Sequence, residues 1–128
     1  MNVDNVKSQM RKGMLEYCVL LLLGEGEFYA SDIIARLREA NLLVVEGTLY
    51  PLLTRLKKEG MVNYQWREST QGPPRKYYSL SPEGINALCE LDAAWNELAT
   101  TVCCLKNTTK DGGAENESDN TANETSNE

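Results

Sequence analysis

Apolar residues recur at helical spacing through the first half of the chain, and this pattern predicts helices there. The first helix is predicted from about Val6 to Leu23 and contains the apolar run CVLLLL at 18–23. Ser31 is predicted to cap a second helix, and Asn41 is predicted to end it. Because the apolar run is too short to span a bilayer, we interpret the first helix as largely core.

The stretch EGTLYPLLTRLKKEG at 46–60 predicts a third helix with two different sides. Its four leucines lie at i, i+3, i+4 and i+7, so one face is expected to pack inward. The other faces carry threonine, tyrosine, proline, arginine and lysine. Pro51 is predicted to lie near the first turn, where a missing N–H costs little, and Gly60 is predicted to end the helix.

The hydrophobic pattern changes after this third helix, and apolar and polar residues alternate at 62–68. Residues 62–68 and 75–80 are predicted to form two strands of a hairpin, with a long tip at 69–74. Ser81 is then predicted to cap a last helix that ends at about Leu105. The predicted fold is therefore mainly α with a β-hairpin wing.

Two helices joined by a turn and followed by a basic hairpin form a winged helix-turn-helix, in which the second helix enters the major groove of double-stranded DNA. Threonine and tyrosine hydroxyls at 48, 50 and 54 are candidates for contacts to bases or phosphates, and the cations are candidates for neutralising phosphates. A purely solvated face is the alternative interpretation. The candidate DNA-binding residues are Thr48, Tyr50, Pro51, Thr54, Arg55, Lys57, Lys58, Arg75 and Lys76.

The net charge of −6 is distributed unevenly along the chain. Residues 1–84 carry a charge of +1, residues 85–105 a charge of −3, and residues 106–128 a charge of −4. An acidic total does not exclude DNA binding, because phosphate contacts depend on a local basic patch. We predict a DNA-binding domain at 1–84, a C-terminal dimerisation helix at 85–105, and a disordered acidic tail at 106–128.

Several motifs of this chain resemble the PadR family of bacterial transcriptional regulators. They are RKGMLEY at 11–17, GTLYPLL at 47–53, RL at 55–56, EG at 59–60, GPPRKYY at 72–78, Leu80, and EG at 83–84. The likeness covers about residues 8–105, and the single C-terminal helix is similar to that of the short PadR subfamily. Ala30 departs from the glycine common before the second helix. The resemblance implies a homodimeric repressor that binds a near-palindromic operator.

The predicted C-terminal helix carries an apolar seam whose spacing alternates between three and four residues, as in a heptad repeat. Such a seam favours packing against a second chain, although packing within one chain is the alternative. The resemblance also implies that an aromatic residue at the dimer interface borders a pocket for a small aromatic or hydrophobic effector; Trp95 is the candidate, and a plain core tryptophan is the alternative. The seam residues are Leu88, Leu91, Trp95, Leu98, Val102 and Leu105.

The composition narrows the classes of function that remain. The chain has no histidine, which excludes Ser-His and Cys-His dyads and histidine metal ligands. Its four cysteines lack the spacing of a zinc site, so we expect reduced structural thiols, with a redox role as the alternative. No secretory signal is recognised. We therefore expect a cytoplasmic protein that is not an enzyme and has no metal, cofactor or membrane partner, and the rival to DNA binding is a winged-helix module for protein interactions.

Overall fold

The computed structural model describes residues 1–113 of the chain. The elements in chain order are α1 (Val3–Leu23), α2 (Ala30–Glu39), α3 (Glu46–Lys58), β1 (Val62–Ser69), β2 (Gly72–Leu80) and α4 (Pro82–Gly113). This order confirms the predicted fold, which is mainly α with a β-hairpin wing. The chain forms two compact units, of which the first is Met1–Leu91 and the second begins at Asp92.

The core of the first unit is built from the apolar faces of α1, α2 and α3 together with the base of the hairpin. The four leucines of α3 are at most 9% exposed, which confirms that this face packs inward. Val19 of α1, Ile33 of α2 and Val62 of β1 are fully buried beside them. Because one side of α3 is fixed in this way, its opposite side must face outward.

The start of α2 differs from the prediction. The helix begins at Ala30, Tyr29 is its N-cap, and Ser31 lies exposed in the first turn. The backbone N–H of Tyr29 donates to Oδ2 of Asp32 at 3.3 Å, so the acid three residues after the cap provides the capping contact. The predicted stop is confirmed, because Asn41 adopts a positive φ of 66° directly after the helix.

Pro51 lies in the second turn of α3 rather than in the first, because the helix begins at Glu46. A proline at this position cannot donate to the carbonyl of Gly47, four residues earlier, so that hydrogen bond is missing from the helix. The predicted end of α3 is confirmed by Gly60, whose φ of 81° favours glycine. The backbone N–H of Met61 then donates to the carbonyl of Leu56 at 2.9 Å.

The hairpin has a shorter tip than predicted. β1 and β2 pair antiparallel with Arg67 opposite Arg75, and Ser69 pairs with Gly72 after a register shift. The proline pair at 73–74 therefore belongs to β2 and not to the tip. The outer edge of β2 pairs with Phe28 at Tyr78, which is several residues beyond the proline pair. Proline is tolerated at a strand edge or beside a bulge.

The first turn of α4 confirms the predicted cap at Ser81. Its Oγ accepts a hydrogen bond from the backbone N–H of Gly84 at 3.0 Å and donates to the carbonyl of Gly60 at 2.5 Å. The helix continues to Gly113, past the predicted end near Leu105, because no glycine or proline interrupts the chain before the glycine pair at 112–113. The part of the predicted acidic tail at 114–128 lies outside the described residues.

Replacing Ser81 by alanine is expected to lower the free energy of unfolding by about 1–2 kcal/mol, because a buried cap is lost together with a second hydrogen bond. Urea unfolding followed by circular dichroism measures this change. Ser79→Ala, the same deletion on a half-buried strand residue, is the matched control and should cost less. Equal losses in the two variants would contradict the capping role.

Candidate nucleic-acid interface

Every predicted DNA-binding residue of α3 is exposed, but helical spacing divides these residues between two edges of the helix. Tyr50 and Thr54 line a cleft between α3 and the wing. Thr48 lies on the other edge, beside residues of α1. Pro51 and Lys58 lie between these two edges by helical spacing. The structure therefore separates the predicted residues into a wing side and an α1 side.

The cleft on the wing side has a volume of about 460 Å³ and is open to solvent. It brings Tyr50 and Thr54 of α3 together with Arg75 and Lys76 of β2, as well as the start of α2. Trp66 of β1 also borders the cleft and is 62% exposed. Residues with hydroxyl groups, aromatic rings and positive charges, from α2, α3, β1 and β2, thus border one space, which is the chemistry that contacts phosphates and base edges.

The two wing cations lie over aromatic rings. The guanidinium of Arg75 is 5.0 Å from the centre of the Tyr29 ring. The ammonium of Lys76 is 4.4 Å from the centre of the Tyr64 ring and 5.3 Å from that of Trp66. The electron-rich face of each ring attracts the cation, and the charged groups can still donate to a further partner.

A stack of rings connects the wing to the start of α2. Tyr29 and Tyr77 are stacked with their centres 3.9 Å apart, and the guanidinium of Arg67 lies 4.2 Å from the Tyr77 ring. A hydrogen bond with Tyr77 and partial desolvation raise the pKa of Tyr29 above its ordinary value, while Arg75 and Arg67 act in the opposite direction. Arg67 also forms an ion pair with Glu27 at 2.5 Å.

Arg55 differs from the other predicted phosphate-binding cations. It forms ion pairs with Glu16 of α1 at 2.5 Å and with Glu59 at 3.3 Å. The hydrogen bond and charge of Glu16, followed by those of Glu59, raise the pKa of Arg55 above its ordinary value. Within residues 1–113, the cations that form no ion pair with a carboxylate include Lys57, Lys58, Arg75 and Lys76.

The predicted apolar seam of α4 is divided in the structure. Leu88 and Leu91 are partly buried and pack against the core of their own chain. The remaining four residues all belong to the second unit and are 44–62% exposed. The four are Trp95, Leu98, Val102 and Leu105.

The sequence alone does not identify the residues that contact the predicted DNA-binding cations, such as Tyr29 beside Arg75 and Glu16 beside Arg55. In the sequence, Tyr29 lies between the first two predicted helices and Glu16 lies within the first. No local pattern marks either role, because each depends on a partner from a distant part of the chain, such as Arg55 for Glu16, 39 residues away. Packing of Tyr64 against Tyr78 accounts for part of the aromatic content of the wing.

The cysteines, possible metal ligands and long apolar helices are the other features of the described residues that bear on function. The four cysteines are free of disulfides; Cys18 is half-buried, which raises its pKa, and the other three are exposed. No group of three histidine, cysteine, aspartate or glutamate side chains in residues 1–113 is placed to hold a metal ion. A helix with the length and apolarity needed to cross a bilayer does not occur in this part of the chain.

Known structures are similar to this chain over most of its length. A PadR-like transcription factor from Bacteroides fragilis is 64% identical, with a TM-score of 0.68, and the match covers 79% of this chain and 98% of that one. A PadR family transcriptional regulator from Eggerthella lenta is 30% identical, with a TM-score of 0.72, over 83% of this chain and 93% of that one.

A third similar structure is that of Bacillus subtilis PadR in complex with operator DNA. It is 26% identical to this chain, has a TM-score of 0.57, and matches 61% of this chain and 45% of that one. The model of the transcriptional regulator PadR-like family matches residues 19–90, which include α2, α3 and the wing. This chain belongs to the PadR-like family of transcriptional regulators.

Proposed function

We propose that this regulator is a repressor that binds a near-palindromic operator in double-stranded DNA as a homodimer. The observation that carries the proposal is the cleft between α3 and the wing. Tyr50, Thr54, Arg75 and Lys76 come together there from two elements. A helix of this size fits the major groove, while the hairpin can lie along the adjacent backbone.

The predicted contacts fall into two classes. Tyr50 and Thr54 have hydroxyl groups on the exposed wing side of α3, where they can reach base edges or position the helix on phosphates. Lys57, Lys58, Arg75 and Lys76 neutralise phosphates. Thr48 and Arg55 lie toward α1, so their contacts are expected at the other side of the groove, and Arg55 must share its charge with Glu16.

A homodimer is supported by the exposed part of the α4 seam. Trp95, Leu98, Val102 and Leu105 present large apolar side chains at heptad-like spacing, which favours burial against a second helix. Two chains related by a two-fold axis would place two copies of α3 about one helical turn of DNA apart. That geometry would select an inverted repeat.

The same seam is the proposed place for an effector. Trp95 is 44% exposed and offers a flat apolar surface. A small aromatic or hydrophobic molecule would bind beside it by burying that surface. We place the regulator in the cytoplasm, where bacterial DNA is accessible, and propose no catalytic role, since the family consists of transcriptional regulators.

The direct test is selection of bound fragments from a bacterial genome library with the purified protein at two salt concentrations. Enrichment of an inverted repeat that weakens at the higher salt is expected, because each phosphate contact releases counterions. Support also comes from the Bacillus subtilis relative, whose structure contains operator DNA. Absence of enrichment at both salt concentrations would favour the alternative function, a winged-helix module that binds a protein partner. The small net charge of +1 on residues 1–84 supports that alternative.

Lys58→Ala and Tyr50→Ala are expected to change binding in different ways. Loss of Lys58 removes a phosphate contact, so it should weaken all sequences alike and lower the salt slope by about 1. Loss of Tyr50 should reduce preference for the operator more than affinity for unrelated DNA. Titration of operator and scrambled duplexes at several salt concentrations measures both effects, and identical behaviour of the two variants on every sequence would contradict the division of roles.

A further inference from the structure

Arg75 and Lys76 are consecutive residues of β2, so their side chains leave opposite faces of the hairpin. Each cation lies over an aromatic ring that comes from a different part of the chain. Arg75 lies over Tyr29, which precedes α2, and Lys76 lies over Tyr64 on β1. The two faces of the wing therefore have the same arrangement, a ring beneath a cation.

On the first face, the ring of Tyr29 is held by its stack with Tyr77. Arg67 lies over the Tyr77 ring of this stack, and it forms an ion pair with Glu27. Arg75 forms no ion pair with a carboxylate among residues 1–113, and its guanidinium lies over the ring of Tyr29. The charge of Arg67 is thus compensated within the fold, whereas the hydrogen-bond donors of Arg75 are available to bind another molecule.

On the second face, the ring of Tyr64 is shared by two cations from two elements. Lys76 of the wing lies 4.4 Å from its centre and Lys57 of α3 lies 5.8 Å from it. Trp66 adds a second ring, nearly perpendicular to that of Tyr64 at an angle of 87°. Tyr64 itself is half-buried and packs against Tyr78, so its position is fixed by the core.

We propose that Tyr29 and Tyr64 are positioning residues of the DNA interface, with Tyr29 orienting Arg75 and Tyr64 orienting Lys76. This inference rests on the proposed DNA binding. Long cationic side chains lose rotamer freedom when they contact a phosphate. A ring that already restricts the side chain reduces that loss, which strengthens binding without a new contact to DNA.

Double-mutant cycles test the proposal. The matched pairs are Tyr29 with Arg75 and Tyr64 with Lys76, and the crossed pairs, Tyr29 with Lys76 and Tyr64 with Arg75, are the controls. Tyr29→Leu and Tyr64→Leu are each combined with Arg75→Ala and with Lys76→Ala. Affinity for a fluorescent mixed-sequence DNA duplex is measured at low salt, where phosphate contacts dominate. Each leucine variant is expected to weaken binding about three- to fivefold in the wild-type background.

The effects of the two substitutions on binding free energy should be coupled in each matched pair and additive in each crossed pair. Tyr29→Leu should have little effect once Arg75 is alanine and its full effect once Lys76 is alanine. Tyr64→Leu should keep its full effect once Arg75 is alanine and lose most of it once Lys76 is alanine, with a small remainder that acts through Lys57. Tyr29→Phe and Tyr64→Phe retain the ring and should bind close to wild type. Thermal unfolding of every variant identifies any leucine variant that no longer folds. Methionine, which also lacks a ring but fills more of the space, then replaces leucine in that cycle.

Additive effects within the matched pairs would overturn the inference, since the rings would then act independently of the cations. Equal coupling in matched and crossed pairs would also overturn it, because it would indicate a general distortion of the wing. In both cases the wild-type protein still binds DNA, so the proposed function survives. A folded wild-type protein that binds no duplex at low salt would overturn the proposed function and this inference with it.

Discussion

Replacing Arg75 and Lys76 together by alanine is expected to weaken binding to any DNA sequence about thirtyfold, on the basis of about 1 kcal/mol for each lost phosphate contact. Both cations border the cleft between α3 and the wing, and neither forms an ion pair with a carboxylate in residues 1–113. Their charge is therefore available to DNA. The slope of log affinity against log salt should fall by about 2, because each phosphate contact contributes about 0.9.

Titration of a labelled duplex at several salt concentrations measures the affinity and the slope together. The matched control is Arg36→Ala combined with Arg38→Ala, which removes the same number of positive charges from α2. Arg36 is engaged with Glu25 at 3.0 Å, so this control should affect the slope less. An equal loss in the control would mean that total charge, and not the wing surface, determines binding.

Gly84→Ala is expected to destabilise the fold by about 3 kcal/mol, which corresponds to a fall in Tm of about 15 °C for a domain of this size. A Cβ atom at this position would lie 2.0 Å from the carbonyl oxygen of Met61. That carbonyl already accepts a hydrogen bond from the backbone N–H of Ser81 at 3.0 Å. The start of α4 would have to move away, which would break this bond and disturb the cap at Ser81.

Thermal unfolding followed by circular dichroism measures this effect. Gly47→Ala is the matched control, because an added Cβ at Gly47 meets no atom within 4 Å and the residue lies in a helix. Its expected change is a small gain of about 0.5–1 kcal/mol from the higher helix propensity of alanine. A Tm for Gly84→Ala close to that of the control would show that α4 can shift without cost.

The elements that local sequence signals describe were predicted well. The leucine spacing of α3, the glycine that ends it and the cap at Ser81 all act within a few residues, so the sequence alone locates them. The errors lie where local signals compete. Serine is a preferred N-cap residue, so the sequence favours Ser31 as the cap of α2, whereas the structure has Tyr29 there. A proline pair is typical of a loop, whereas the pair at 73–74 belongs to β2.

The candidate site was predicted as a set of residues but not as an arrangement. Composition identifies Arg55, Arg75 and Lys76 equally as cations for DNA. The structure distinguishes them, because Arg55 is paired with Glu16 whereas the other two border the cleft and lie over aromatic rings. Spacing likewise placed Leu88 and Trp95 on one seam, although Leu88 packs against the core of its own chain.

The order of the elements, the two-sided character of α3 and the likeness to PadR regulators follow from the sequence alone, because periodicity, capping and motifs are properties of neighbouring residues. Which charges are compensated, and which rings hold the wing cations, depends on tertiary contacts. Those contacts join residues far apart in the chain, such as Arg55 with Glu16 and Arg67 with Glu27, 40 residues away. They form only after the core has fixed the distances between α1, α3 and the hairpin, so no local pattern encodes them.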